Sequence, residues 1–511
     1  MRDSRPNILF IMSDDHGANA ISLYGSRLST VFKTPNLDRI GLDGAIFKNC
    51  YCTNSICTPS RASILTGQYP HVTGVRTLQD RLDESINTFP KILKKSGYNT
   101  AVIGKWHLHS RPQGFDHFDI LPEQGEYFNP YFVNKNTDWV QVENYLSQQA
   151  DWSKVGNYGD IGDQHEGYVT DIITDKCLKW LGERDQAKPF LLMCHHKAPH
   201  DNFEYHPRDE HLLDGVDIPE PDSLWEDKGH RSEGSRNYGS SLSERNPIRN
   251  AVQTMSQPDY PTGPIDLTGL DEAGRTKAVY QKYLKDYLRT VKAVDDNVGR
   301  VLDLLESEGT LDNTLVIYTS DQGMFLGEHD YIDKRWSFEE SLQMPMMMRY
   351  PEKIPSGTVV DLVVSNVDFA PTILDFLGIP QPESMQGLSF KPIAQGVEMN
   401  EWSDEVYFRY WMHLAHHDTP AHYGVRTAEY KLTFFYGLPL DAKGAMKKKT
   451  PSTWELYDLR RDPFEVNNVY SNPEYKDIVA SLKERLRLLK EKVGDADSDY
   501  QELCDLLVET E

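Results

Sequence analysis

The sequence predicts an α/β protein in which a large mixed, mainly parallel sheet is sandwiched by helices, followed by a smaller α+β C-terminal subdomain. Three observations predict it. Four short apolar runs of the kind that form fully buried strands each end in a cluster of polar residues. Residues 276–306 repeat apolar side chains at helical spacing. Beyond residue 378 the pattern changes to short strand-like runs and one long amphipathic stretch. At 511 residues the chain exceeds what one simple core organises. The expected division is a catalytic α/β part over 1–385 and a C-terminal subdomain, with a small antiparallel sheet and a long helix, over 386–511.

The first run, Asn7-Ile-Leu-Phe-Ile-Met-Ser13, leads into Asp14-Asp15-His16-Gly17. Two carboxylates at the C-terminal end of a parallel strand stand where open α/β sheets bind ligands. As a local structure, the same residues make a turn with a helix cap. Residues 34–40 read as a capped helix. The second run, 98–104, ends in Lys105-Trp106-His107, and Lys105 and His107 share a side if the chain stays extended. The third run, 189–194, ends in His195-His196-Lys197-Ala198-Pro199-His200. The fourth, 314–319, ends in Ser320-Asp321-Gln322-Gly323, with Lys334 shortly after. An active site along one sheet edge requires this repeated arrangement.

Between the runs, Tyr280, Tyr283, Leu284, Tyr287, Val291, Val294, Val298 and Val301 form one helical stripe, read as core packing. Residues 110–167 and 201–264 lack periodicity and are rich in Pro, Gly, Asp, Asn and aromatics. They are expected to be long loops walling a substrate pocket. Residues 368–378 form a short capped helix, and Ile379-Pro380-Gln381-Pro382 starts a linker. Strand-like 406–410 and 430–435 and an amphipathic helix over 474–493 complete the chain. No internal repeat is present.

Composition narrows the function. Hydrophobic residues at 39% and aromatics at 11% describe a packed globular protein. A net charge of -24 argues against nucleic acid or an acidic membrane as partner. An anionic substrate then needs a local basic pocket. Cys50, Cys52, Cys57, Cys177, Cys194 and Cys504 are too few and too irregular for a disulfide framework. The spacing of the first three matches no standard zinc pattern. The apolar segment after Pro6 is too short for a signal peptide or a membrane span. The expectation is a cytoplasmic protein as written, or a periplasmic or secreted one if a signal was removed.

The stretch that organises the chemistry is Cys57-Thr58-Pro59-Ser60-Arg61, followed by Ser63 to Gly67. Pro59 biases Thr58 away from helical angles, so a helix is expected to begin at Pro59. Cys57 would then sit at a helix N-terminus, which favours an anion, with Arg61 one turn on and able to reach back. A lone Cys in such a place is most often a packing residue.

The Cys-x-Pro-x-Arg core with its Ser-x-x-Thr-Gly tail resembles the signature of type I sulfatases of the alkaline phosphatase superfamily, in which the Cys is oxidised to formylglycine. The likeness extends from the Asn7 strand to a tail segment over 455–465. It implies an alkaline phosphatase-like fold and a sulfuric ester hydrolase acting on a sulfated carbohydrate. One hydroxyl of a formylglycine hydrate would attack sulfur, and the other would expel sulfate and restore the aldehyde. The resemblance implies Asp14, Asp15, Asp321 and Gln322 as metal ligands, completed by the modified Cys57. Oxygen donors of this kind favour Ca²⁺ over Mg²⁺, and zinc would recruit His or Cys. Gln322 departs from the Asn more usual in the family.

By the same likeness Arg61 steadies the hydrate, Lys105 and Lys334 clamp the sulfate, His107 is the regenerating base and His200 the general acid. His16 touches substrate or props the Asp pair from behind. His195 and His196 are structural, and the run His413, His416, His417 with His422 belongs to a polar interface or touches substrate. A formylglycine-generating maturation enzyme is the implied partner. The alternatives are a phosphonate monoester or phosphodiester hydrolase of the same superfamily, and a catalytically silent carbohydrate-binding relative.

Overall fold

The computed structural model describes residues 5–149, 161–399 and 401–509; residues 150–160 of the first aperiodic stretch and the first four residues lie outside them. In chain order the strands are β1 (Asn7–Ser13), β2 (Ala45–Phe47), β3 (Cys50–Tyr51), β4 (Asn99–Lys105), β5 (His117–Leu121), β6 (Tyr131–Asn134), β7 (Asp163–Gln164) and β8 (Phe190–His196). They continue with β9 (Thr314–Ser320), β10 (Met346–Arg349), β11 (Thr358–Val360), β12 (Val364–Ser365), β13 (Glu405–Tyr410), β14 (His422–Thr427), β15 (Tyr430–Phe435) and β16 (Thr453–Asp458).

Ten strands form one sheet in the order β11-β2-β10-β9-β1-β8-β4-β5-β6-β7. Its centre, from β9 through β1, β8 and β4 to β5, is parallel, and β10, β6 and β7 add antiparallel pairs toward the edges. Alternation along β1 explains why this sheet is buried on both faces. Ile8, Phe10 and Met12 enter one core, with Ala62, Leu65, Leu93 and Ile373 from helices over 57–66, 89–95 and 369–376. Leu9 and Ile11 enter the other, with Ile173 and Leu181 of the Val169–Glu183 helix and Val294, Val298 and Val301 of the Glu272–Ser307 helix. The sandwich of helices around a mainly parallel sheet is as expected.

The predicted tyrosine stripe is buried, and its N-terminal half covers a third core with Phe203, Leu224, Val252 and Met324. The stretch 110–167 is not one long loop, because it supplies β5, β6, β7 and a helix over Trp139–Gln149. Its strands are too short, and β7 too exposed, to show the alternation that sequence patterns rely on. Residues 201–264 hold only short turns of helix, as expected of pocket walls. The four-stranded antiparallel sheet β13-β14-β15-β16 packs the Lys476–Val493 helix through Leu482, Leu486 and Leu489. Among the described residues no helix is long and apolar enough to cross a membrane.

Parallel pairing is what assembles the site. Ser13 lies opposite both Ser320 and His196, and Gly104 lies opposite His195, so four strand ends share one sheet edge. Gly104 is required there, because a Cβ would fall 1.9 Å from the His195 carbonyl oxygen and its φ is +106°.

Candidate active site

At the end of β1, Asp14 and Asp15 are fully enclosed, and Asp15 takes a left-handed φ of 62°. The turn is held from below. The Tyr287 hydroxyl donates to the Asp15 carbonyl at 2.8 Å and accepts from the Gly17 N–H at 2.9 Å. A member of the core stripe thus also supports the site, through a hydroxyl that apolar periodicity does not reveal. His16 lies behind the pair, fully buried, with Nδ1 2.5 Å from the Tyr318 hydroxyl and its N–H donating to Ser320 Oγ. Burial pushes it down to about 3, so it is a neutral ring.

The helix bearing Cys57 runs Cys57–Thr66 and begins two residues earlier than Pro59. Proline is tolerated at its third position because that N–H lacks an intrahelical partner anyway. The first turn closes by Ser60 N–H to the Ile56 carbonyl at 3.1 Å. Cys57 therefore occupies the first helical position, at 1% exposure. Its sulfur, an Asp14 carboxylate oxygen and a His200 nitrogen all lie within 4.8 Å of one another. Burial pushes its thiol up, so an unmodified Cys57 is a poor thiolate.

Arg61 reaches back as expected. Its Nε donates to Asp321 Oδ2 at 2.9 Å, Nη1 to the Lys105 carbonyl at 2.8 Å, and Nη2 lies 3.6 Å from Asp14 Oδ1. Lys105 Nζ contacts the Asp14 carboxylate and Gln124 Oε1. Lys334 Nζ is 2.5 Å from Asp15 Oδ2 and is flanked by Asp333 and Arg335, both in left-handed backbone. Burial would lower Lys334, but Asp15, Cys57, Asp333 and Asp14 together more than offset it and hold the ammonium well above its ordinary value. The chain does not stay extended beyond Lys105, because His107 adopts φ 52°, which ends the simple alternation with Lys105. His107 is 4% exposed, with Nε2 3.8 Å from Glu123 Oε2. His200 hydrogen-bonds through Nδ1 to Asp201, while its Nε2 lies 3.7 Å from Asp15 Oδ2.

One carboxylate oxygen each from Asp14, Asp15 and Asp321 lies within 4.8 Å of the others. Such a cluster is strained electrostatically, and burial together with Asp14 pushes Asp321 up to about 7. Gln322 donates from Nε2 to Asp15 and leaves Oε1 buried without a hydrogen-bond partner, as is Asp14 Oδ1, whose nearest cation is Arg61 Nη2 at 3.6 Å. Buried acceptor oxygens amid three carboxylates fit a hard divalent cation. Against them stand Arg61, Lys105 and Lys334, so a divalent ion tips the set toward positive charge, suited to an anion.

Above this floor opens a cavity of about 680 Å³. Its walls are Gln124 to Phe128 from the first aperiodic stretch, Asp201, Asn202, Glu204 and Arg249 from the second, and His416 and His417 from the C-terminal part. The histidine run is therefore divided. His416 and His417 face the cavity, His413 bonds the Lys448 carbonyl, and His422 stacks on Tyr410. His195 and His196 are internal to β8, buried with the sheet. Sequence reasoning does not single out Lys197 or Arg335, which also line the cavity. Lys197 stands in the polar run after β8 and Arg335 next to Lys334, so proximity to those signals is what could have found them. None of the six cysteines is joined in a disulfide.

This fold is that of a sulfatase of the alkaline phosphatase-like class. The chain belongs to the sulfatase family, whose model matches residues 6–379, and a second model described as N-sulphoglucosamine sulphohydrolase, C-terminal, matches 327–492. The chain is 37% identical, over 98% of its length and 88% of the relative's, to an N-acetylglucosamine-6-O-sulfatase of Bacteroides thetaiotaomicron. The solved structure of BT4656 in complex with its substrate, D-glucosamine-2-N,6-O-disulfate, superposes with a TM-score of 0.84 at 35% identity, covering 97% of this chain and 100% of that one. A phosphonate monoester hydrolase from Silicibacter pomeroyi, 21% identical with a TM-score of 0.69 over 96% of each chain, shares the fold alone.

Proposed function

We propose that this sulfatase removes sulfate from a sulfated amino sugar, with a 6-O-sulfated glucosamine as the leading candidate. It would use Cys57, converted to formylglycine, as nucleophile and Ca²⁺ held by Asp14, Asp15, Asp321 and Gln322. The observation that carries this is the grouping of Cys57, first residue of its helix, with Asp14 and His200, one ligand-type atom of each within 4.8 Å of the others, where His200 also lines the cavity. The sugar is supported by the names of the similar proteins, an N-acetylglucosamine-6-O-sulfatase and a protein whose substrate is D-glucosamine-2-N,6-O-disulfate.

Conversion of the buried thiol by a maturation enzyme supplies a hydrated aldehyde, which can release sulfate without leaving a stable thio-adduct. Calcium, when bound, supplies positive charge for a sulfate oxygen. The chain's own residues do the rest. Arg61, fixed by Asp321 and the Lys105 carbonyl, holds its guanidinium over position 57. Lys105 and Lys334 place ammonium groups on either side of the carboxylate cluster, where sulfate oxygens would share them. His200 commits Nδ1 to Asp201, which leaves Nε2 to protonate the bridging oxygen of the leaving sugar. His107 is held neutral, because burial and Lys105 keep it well below its ordinary value, and a neutral ring can take a proton. His16, buried behind the Asp pair, acts as their support.

The test is sulfate release from N-acetylglucosamine-6-sulfate by the matured protein, run beside a phosphonate monoester. Preferential release from the sugar is expected. A clear preference for the phosphonate would exclude this substrate assignment.

A further inference from the structure

We infer that Glu123, gripped by His109, is a positioning residue that fixes the tautomer and orientation of His107. This rests on the reading of His107 as a base in the proposed reaction. Three consecutive facts of geometry lead to it. First, Glu123 stands between two imidazoles. Its Oε1 is 3.0 Å from His109 Nδ1 and its Oε2 is 3.8 Å from His107 Nε2. One ligand-type atom from each of the three residues lies within 4.8 Å of the others. Second, His109 cannot swing away, because its Nε2 is 2.7 Å from the Leu78 carbonyl. Both ring nitrogens of His109 are therefore spent on holding position, and neither is left for substrate.

Third, the backbone is strained where the clamp is made. His107, His109 and Glu123 all lie in the left-handed region, at φ 52°, 53° and 48°. A non-glycine residue there is strained and persists where the surroundings over-determine it. Two of these residues sit on the segment leaving β4 and the third on the turn leaving β5, adjacent parallel strands. The same turn sends Gln124 to Lys105, so neighbouring residues serve both members of the Lys105–His107 pair.

The chemical consequence follows from which nitrogen faces the carboxylate, a charge contact at 3.8 Å and not a hydrogen bond. A carboxylate facing Nε2 favours the tautomer with its proton there. Nδ1 of His107 then keeps its lone pair, and it is buried with no hydrogen-bond partner. Nδ1 is thus the atom placed to accept a proton. Besides Glu123, Lys105, His109, Asp14 and Arg61 are charged groups around the ring. His109 carries the opposite setting: both of its partners, the Glu123 carboxylate and the Leu78 carbonyl, are acceptors, which calls for a ring protonated on both nitrogens, and against burial these, with Asp80, raise it.

Selective ¹⁵N-histidine NMR of the whole protein, with His107 assigned by its loss in His107→Ala, reads the tautomer without needing turnover. In the wild type the His107 proton belongs on Nε2, and in Glu123→Gln it is redistributed. A His107 proton on Nδ1 in the wild type overturns the inference, whatever the substrate proves to be. In parallel, kcat of Glu123→Gln falls about 10- to 100-fold with KM little changed. His109→Gly relieves a left-handed residue but strips buried Glu123 of its partner, so its Tm falls and kcat falls by a similar factor. A lowered Tm with undiminished kcat in both variants would show a merely structural pair and overturn the inference. Full turnover in His107→Ala would instead refute the base role of His107, leaving the tautomer measurement to judge the clamp.

Discussion

At the scale of single residues, the site is a set of buried charges that make sense only together. Asp15 is matched by Lys334, Asp14 by Lys105, and Asp321 by Arg61, each pair enclosed. Removing one partner leaves the other charged and buried, which is costly. Cys57→Ala is expected to lower turnover by roughly 10³-fold or more while the protein stays folded, because it deletes the nucleophile and no charge. Turnover on a sulfated sugar is the measurement. Lys334→Ala should lower kcat/KM by about 10²- to 10³-fold and also destabilise, since Asp15 loses its counter-charge. Asp14, Asp15, Lys105 and Asp321 were legible because each follows or closes an apolar strand, Arg61 because it belongs to the Cys57 motif, and Lys334 through the family resemblance. Tyr287, Lys197, Glu123 and His109 were not. Tyr287 hides in a core stripe, and the other three act through contacts between strand ends that no local pattern encodes.

At the scale of elements, the long-range sheet was readable because buried parallel strands are short, apolar and bounded by polar clusters. The edge of that sheet was not. β6 has four residues and β7 two, and their pairing is decided by tertiary fit. The start of the Cys57–Thr66 helix was also misplaced by two residues, since the steric bias before proline is weaker than the pull of a closed first turn. The C-terminal helix offers an element-scale prediction. Asp495, just beyond it, accepts from Arg409 Nη1 of β13 at 2.7 Å and from the Tyr407 hydroxyl. Burial raises its carboxyl, but Arg409, Lys490, His71 and the Tyr407 hydroxyl together outweigh burial and hold it down at about 2, against an ordinary 3.8. A depressed folded value means the stabilisation is complete above pH ~4 and is lost as pH falls toward 2, amounting to about 2 kcal/mol. Asp495→Asn should therefore cost about 3 kcal/mol or more at pH 7, leaving Arg409 buried without its partner. Urea unfolding at pH 7 and pH 3 measures both effects, and a variant that matches the wild type at pH 7 contradicts them.

At the scale of the whole molecule, a chain of net charge -24 is proposed to bind an anionic ester by concentrating its cations on one cavity floor. The cavity is walled by segments far apart in sequence, from Leu78 to His417, so the C-terminal part completes a site whose floor belongs to the large sheet. We propose the division at 385/386 as one of folding units that share this pocket. A metal binding only the folded state adds about 3–4 kcal/mol at 100 to 1,000 times its Kd. Exhaustive chelation should therefore lower Tm and abolish turnover, with calcium restoring both. An unchanged Tm and rate after chelation would contradict the metal site.

The central claim is that Cys57 is the precursor of the nucleophile. The measurement that tests it most directly is the mass of the tryptic peptide 49–61, taken from active protein made in its native host or beside a maturation enzyme. The account predicts a peptide in which the thiol has been replaced by an aldehyde. Fully active enzyme whose Cys57 is an intact thiol would contradict it.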